Sequence, residues 1–99
     1  HRVLALNFRC AAGEIDLVTL DGGTIVFVEV KTRRGSLLAE PDQAVNPAKR
    51  ARLVRAARAY LGLHSGQARP CRFDVVWIVQ DGPGRPNIQH IPDAFGATC

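Results

Sequence analysis

Two β-prone runs, EIDLVTL over residues 14–20 and TIVFVEVKT over 24–32, are separated only by Asp21-Gly22-Gly23. Glycine accepts the positive φ that two-residue hairpin turns require, so this stretch predicts a tight hairpin whose turn sets the strand register. With Gly22-Gly23 as the loop, counting outward places Leu17 opposite Val28, Asp16 opposite Glu29 and Glu14 opposite Lys31. Opposed residues share a face, with side chains about 4.5–5.5 Å apart. Glu14, Asp16, Glu29 and Lys31 therefore gather on one face, and Ile15, Leu17, Val28 and Val30 on the other. A slip of one residue would mix the two classes, so the hydrophobic pattern supports the register that the turn dictates.

Two carboxylates held opposite each other repel, and one pKa rises unless a cation lies between them. Hard divalent ions take oxygen ligands and are commonly held by one or two carboxylates plus water and phosphate, so Asp16 and Glu29 point to Mg²⁺ or Mn²⁺. Lys31 beside such a site has two chemical uses: positioning or polarising an attacking water, or stabilising the charge that develops on a phosphodiester during cleavage. The plain alternative is a solvated sheet face with Glu14–Lys31 as a cross-strand ion pair. It leaves the Asp16–Glu29 contact unexplained.

The remaining pattern predicts an α/β domain of order β-β-β-α-β-(β), a mixed sheet with a flanking helix. The strands are Arg2–Arg9, Glu14–Leu20, Thr24–Thr32, Arg72–Gln80 and a short edge strand at Asn87–Ile91. Asn46-Pro47 starts the helix, with Asn as N-cap and Pro at the first helical position, and Gly62 is expected to end it near Leu61. Leu53, Val54, Ala57, Tyr60 and Leu61 form its core-facing stripe. Its 99 residues suffice for a single domain. Because the chain begins at His1 and contains no Met, an N-terminal segment is expected to be missing.

The chain carries 13 Lys and Arg against 9 Asp and Glu, a net charge of +4. Most of the basic residues fall between Lys31 and Arg72, which suits an anionic partner such as nucleic acid. Arg52, Arg55 and Arg58 lie side by side on a helix stripe opposite the apolar face, with Lys49 nearby. That stripe reads equally as a phosphate-binding surface and as a solvated helix face. Arg33 and Arg34, directly after the hairpin, are better placed to reach nucleic acid at the carboxylate site. No apolar run approaches the roughly 20 residues that span a bilayer, so no membrane partner is expected. Cys10, Cys71 and Cys99 show no metal-ligand spacing, and the plain reading is reduced thiols in a cytoplasmic protein, with one disulfide as the alternative.

Other residues carry weaker signals. Asp74, within RFDVVW, is a weaker metal-ligand candidate and is read rather as facing solvent or pairing with an arginine. His64 and His90 have no Ser, Cys or His at a telling spacing, and Phe73 and Trp77 are read as core. Gly82-Pro83-Gly84 is a turn without the strand–loop–helix context of a phosphate loop.

At Gly13-Glu14-Ile15-Asp16-Leu17, followed by Phe27-Val28-Glu29-Val30-Lys31-Thr32-Arg33, the chain resembles the YraN-like family of small bacterial proteins. These are predicted members of the PD-(D/E)XK, restriction-endonuclease-like superfamily, close to Holliday-junction resolvases. The likeness extends to Asn7-Phe8-Arg9, Ala44-Val45-Asn46-Pro47-Ala48-Lys49, Cys71-Arg72-Phe73-Asp74-Val75-Val76 and His90-Ile91-Pro92-Asp93-Ala94-Phe95. It implies a restriction-endonuclease-like core in which Asp16 and Glu29 hold Mg²⁺, with Lys31 as the catalytic lysine and the Val30 carbonyl as a further ligand. Glu14 joins the catalytic set through its electrostatic influence, and Gln43 matches an accessory polar residue of some relatives. Family members usually open with a helix carrying a glutamate near the site, for which this chain has no counterpart. The resemblance also implies a homodimer, since two cuts in a junction suit two sites.

Two functional expectations result. The first is a Mg²⁺- or Mn²⁺-dependent endonuclease acting on DNA, including branched or structured DNA. The second is a non-catalytic nucleic-acid-binding or partner-binding module on a nuclease fold, which would bind through Arg52, Arg55 and Arg58 without regard to metal.

Overall fold

The computed structural model describes residues 2–34, 46–64, 70–80 and 82–95, with Arg33 described by its backbone alone. The element order is β1 (Arg2–Cys10), β2 (Gly13–Asp21), β3 (Thr24–Arg34), α1 (Pro47–His64), β4 (Cys71–Gln80) and β5 (Asn87–Ile91). The strands form one five-stranded sheet in sequential order. β1, β2 and β3 are an antiparallel meander, β4 runs parallel to β3, and β5 closes the far edge antiparallel to β4. A parallel pair needs a crossover connection, and α1 lies in the one between β3 and β4.

The hairpin forms in the predicted register, from Asp21↔Thr24 at the turn out to Leu17↔Val28. Gly22 takes a φ of 61° there, the left-handed conformation the turn needs. The β2–β3 ladder ends at Leu17↔Val28, while β2 stays paired to β1 as far as Cys10↔Gly13. β2 and β3 thus part company just before the charged residues.

Helix α1 starts as expected. The Asn46 side-chain carbonyl accepts the Lys49 N–H at 2.9 Å, and its main-chain carbonyl accepts that of Arg50 at 2.9 Å. The end differs: α1 continues through Gly62 to His64. One glycine costs a helix only about 1 kcal/mol, and the rings of Tyr60 and His64, one turn apart, lie 4.4 Å from each other across it.

Leu53, Ala56, Ala57 and Tyr60 bury one helix stripe against the sheet. Tyr60 meets Phe8 of β1 and Phe27 of β3 edge-on, at 5.2 and 5.9 Å between centroids. Phe27 stacks on Phe73 of β4, and Phe73 on Phe95, so one aromatic chain crosses the sheet. Phe73 and Trp77 are core, as expected. Val26 and Val28 are buried on the opposite sheet face, outside this cluster.

Ile15 departs from expectation. Both Ile15 and Val18 belong to the helix-facing cluster, although residues three apart on a regular strand point opposite ways. The neighbouring strand shows the cause. Asn7 has a φ of 52°, and it breaks the alternation so that Ala5 and Phe8 both pack against the cluster while Leu6 is exposed. Asparagine tolerates this left-handed conformation. Phe8 pairs with Ile15 and Ala5 with Val18, so the break on β1 is matched on β2 at Asp16-Leu17.

Candidate carboxylate–lysine site

Glu29 projects from β3 on the helix side, since Phe27 two residues earlier touches Tyr60. Its parallel neighbour is Val75, and it is only 7% exposed. A carboxylate so placed needs counter-charge, and two ammonium groups supply it at the same oxygen. Lys31 Nζ lies 3.4 Å from Glu29 Oε1, and Lys49 Nζ lies 2.6 Å from it. Lys31 comes from the same strand face. Lys49 reaches across from the first turn of α1, which Asn46 anchors.

Asp16 is drawn toward the same place differently. Its Oδ2 accepts the main-chain N–H of Val30 at 2.8 Å, a side-chain bond formed where the β2–β3 ladder has stopped. Val30 therefore meets Asp16 through its N–H. Burial pushes the Asp16 carboxyl above the ordinary value, and the charges of Glu29 and Glu14 add to the effect, against the Val30 N–H and Lys49. The Lys49 ammonium and partial burial push Lys31 below the usual lysine range, despite the pull of Glu29. For Lys49, burial acts against the charge, but Glu29, with Lys31 and the charge of Asp16, together outweigh it and hold its pKa up.

The expected pairing of Glu14 with Lys31 does not form. With the β2–β3 ladder ended, Glu14 pairs across β1 with Arg9, and their side chains lie 3.7 Å apart. Glu14 instead lines a cleft of about 250 Å³ together with Ala12, Gly13, Lys49, Arg52 and Leu53. Lys49, read from sequence as a neighbour of the arginine stripe, belongs to the carboxylate cluster. Period-2 reasoning on a hairpin cannot find a helix-borne partner; its one sequence signal is its place three residues after the Asn46 cap. Arg52, Arg55 and Arg58 are exposed on α1, and only Arg52 lines the cleft. Arg34 is exposed near the end of β3, the Arg33 side chain is outside the described residues, and so is Gln43.

The donor set fits a hard divalent ion in a limited way. Two carboxylates from neighbouring strands face one region, and among the described residues Asp16 Oδ1 and Glu29 Oε2 have no hydrogen bond or ion pair. Mg²⁺ is commonly held by only one or two carboxylates. Among the described residues there is no cluster of three or more His, Cys, Asp or Glu of the kind that a transition metal favours.

A second polar cluster occupies the opposite face of the sheet. Asp74 is 1% exposed, so the expectation of a solvent-facing side chain fails, while the arginine pairing holds. Arg72 donates to it from Nε at 3.0 Å and Nη2 at 3.3 Å, and the Asp93 N–H donates at 2.9 Å. His90 Nε2 lies 2.7 Å away, a partnership that sequence spacing missed because it depends on the β4–β5 register, Val76↔His90. Asp21 completes the group by accepting from Arg72 Nη1 at 3.1 Å. Cys71 is disulfide-bonded and Cys10 is a free thiol, which corrects the expectation of three reduced cysteines. An odd count leaves room for one pair. Among the described residues no helix is long and apolar enough to cross a membrane.

Fold and site together define a small mixed α/β fold with a carboxylate–lysine cluster where the β2–β3 hairpin opens. The chain belongs to the family described as "Uncharacterised protein family UPF0102", which matches over residues 1–78. It is 47% identical to a UPF0102 protein of Symbiobacterium thermophilum, over 98% of this chain and 82% of the relative. It is 45% identical to a UPF0102 protein of Geotalea daltonii, over 94% and 73% of the two chains. A UPF0102 protein of Nitratidesulfovibrio vulgaris is 46% identical over 99% and 72%.

Proposed function

We propose that this protein is a Mg²⁺- or Mn²⁺-dependent endonuclease of the restriction-endonuclease-like type, cleaving phosphodiester bonds in DNA. The observation that carries this reading is the convergence of Asp16 and Glu29, from two strands whose ladder has just ended, with Lys31 at 3.4 Å from Glu29. A purely structural hairpin would gain nothing from a half-buried aspartate whose pKa is driven up by burial and then further by its acidic neighbours.

In this reading Asp16 and Glu29 hold the ion, which when bound would lower the pKa of a water and screen the phosphate charge. The Val30 N–H orients Asp16 by holding one of its oxygens. Lys31, whose ammonium lies 3.4 Å from Glu29, would position the attacking water and offset the charge that develops on the phosphate. Glu14 acts at a distance, through its charge on Asp16. Arg52 on α1 and Arg34 near the end of β3 are both exposed and would meet the DNA backbone.

The test is cleavage of linear, nicked and four-way-junction DNA by the purified full chain with Mg²⁺ or Mn²⁺. Asp16→Asn, Glu29→Gln and Lys31→Ala should each reduce the rate by about a thousandfold or more, the loss expected when a metal ligand or a charge-stabilising group is removed. Activity that survives Glu29→Gln, or no cleavage of any form by the unaltered protein, would sink the proposal.

A non-catalytic DNA-binding module has one observation in its favour: Glu29 already has two ammonium partners. That reading predicts salt-dependent affinity that is indifferent to Mg²⁺ and lost in an Arg52/Arg55/Arg58 triple alanine variant.

A further inference from the structure

Lys49 has the shortest ion-pair contact of the cluster, 2.6 Å to Glu29 Oε1, and it comes from a different layer of the fold. Its backbone is anchored by the Asn46 cap, so the side chain extends from a fixed point. The same side chain lines the cleft with Gly13, Glu14 and Arg52. One ammonium therefore stands between a nearly buried carboxylate and an accessible cleft.

We infer that Lys49 is a built-in competitor of the divalent ion: its ammonium must leave Glu29 for the carboxylate pair to load with metal. This inference rests on the metal-dependent reading of Asp16 and Glu29. The physical argument is simple. A unit positive charge at hydrogen-bond distance from a ligand oxygen both occupies that oxygen and repels an incoming dication. Lys31 sits farther from the same oxygen, at 3.4 Å, and shares the strand face, so Lys49 is the nearer obstacle. Once displaced, its ammonium has the cleft it already lines, where Arg52 is beside it and a substrate phosphate would neutralise both. Lys49 is thus a positioning residue that ties metal loading to occupation of the cleft.

The test is calorimetric titration of Mn²⁺ alone into the full chain, without DNA. Lys49→Met should tighten Mn²⁺ binding about tenfold, as expected when one partly solvated like charge is removed from a cation site. A residue that merely supported the site's structure would weaken binding when removed. Arg52→Met removes a charge from the same cleft without a contact to Glu29, and should shift the affinity by less than about twofold. Should Lys49→Met fail to fold by circular dichroism, Lys49→Gln carries the same expectation, being neutral and still able to donate to Glu29. Unchanged or weaker Mn²⁺ binding in the folded Lys49 variant, or equal tightening in Arg52→Met, overturns the inference. If Mn²⁺ binding is nevertheless abolished by Asp16→Asn, the metal site itself stands and only the role of Lys49 is lost. If neither the unaltered protein nor the Lys49 variant binds Mn²⁺, the metal reading fails and the inference fails with it.

Discussion

Asp16 on β2 and Asp74 on β4 flank the same central strand, β3, and their carboxyl groups are pushed in opposite directions. Burial raises the pKa of both. At Asp74 that push is overcome by Arg72, the Asp93 N–H and His90, and the carboxyl is held below its ordinary value. At Asp16 only the Val30 N–H and, more weakly, the charge of Lys49 oppose burial, and Glu29 and Glu14 add to it. What separates them is donor count and neighbouring charge. Asp74 is satisfied by its own chain, binding β4 to β5 and to the turn after it, with Asp21 of β2 joined through Arg72. Asp16 is left short of positive charge in a partly open place, the condition under which a carboxylate gains from an external cation.

The strongest challenge to this contrast is Asp74→Ala. It would leave Arg72, His90 and the Asp93 N–H without their shared acceptor, and removing one partner of a buried ion pair costs about 3–5 kcal/mol. Thermal or urea unfolding should show that loss; a change below about 1 kcal/mol would mean that the network is not holding the strands. His90→Ala removes one half-exposed partner and should cost about 1 kcal/mol. The pH dependence has a definite sign. The folded pKa of Asp74 lies below its unfolded value, so its contribution is complete above about pH 4 and is lost as pH falls through the folded value. Urea denaturation from pH 7 down to pH 2.5 should therefore fall more steeply for the unaltered protein than for Asp74→Asn. Parallel acid limbs would contradict the direction given for Asp74.

The same contrast explains what could be read in advance. The turn at Gly22-Gly23, the Asn46-Pro47 helix start and the β5 edge strand all rest on local rules, and each appears where those rules place it. Period-2 alternation was enough to bring Glu29 and Lys31 to one face, and the turn was enough to bring Asp16 near them. Alternation failed where it was interrupted. The left-handed Asn7 turned Phe8 and Ile15 toward the helix, and the early end of the β2–β3 ladder sent Glu14 to Arg9. Contacts between distant layers had no local signature at all. Lys49 meets Glu29, and His90 meets Asp74, only because the crossover and the last hairpin carry them there.

The smallest expected effect is the most discriminating one. The folded pKa of Asp16 lies above its unfolded value, so the folded state binds its proton more readily and stability declines as pH rises between the two values. Above both, the ionised Asp16 is a standing cost to the fold. Asp16→Asn removes the charge while keeping an oxygen that can accept the Val30 N–H. It should therefore raise Tm slightly at pH 7, and the gain should shrink as pH is lowered and the native aspartate protonates. The same substitution should abolish cleavage, so that stability and activity move in opposite directions at one residue, as expected where a site is kept electrostatically strained for function. A lower Tm for Asp16→Asn would place Asp16 with Asp74, as a group that the fold needs charged.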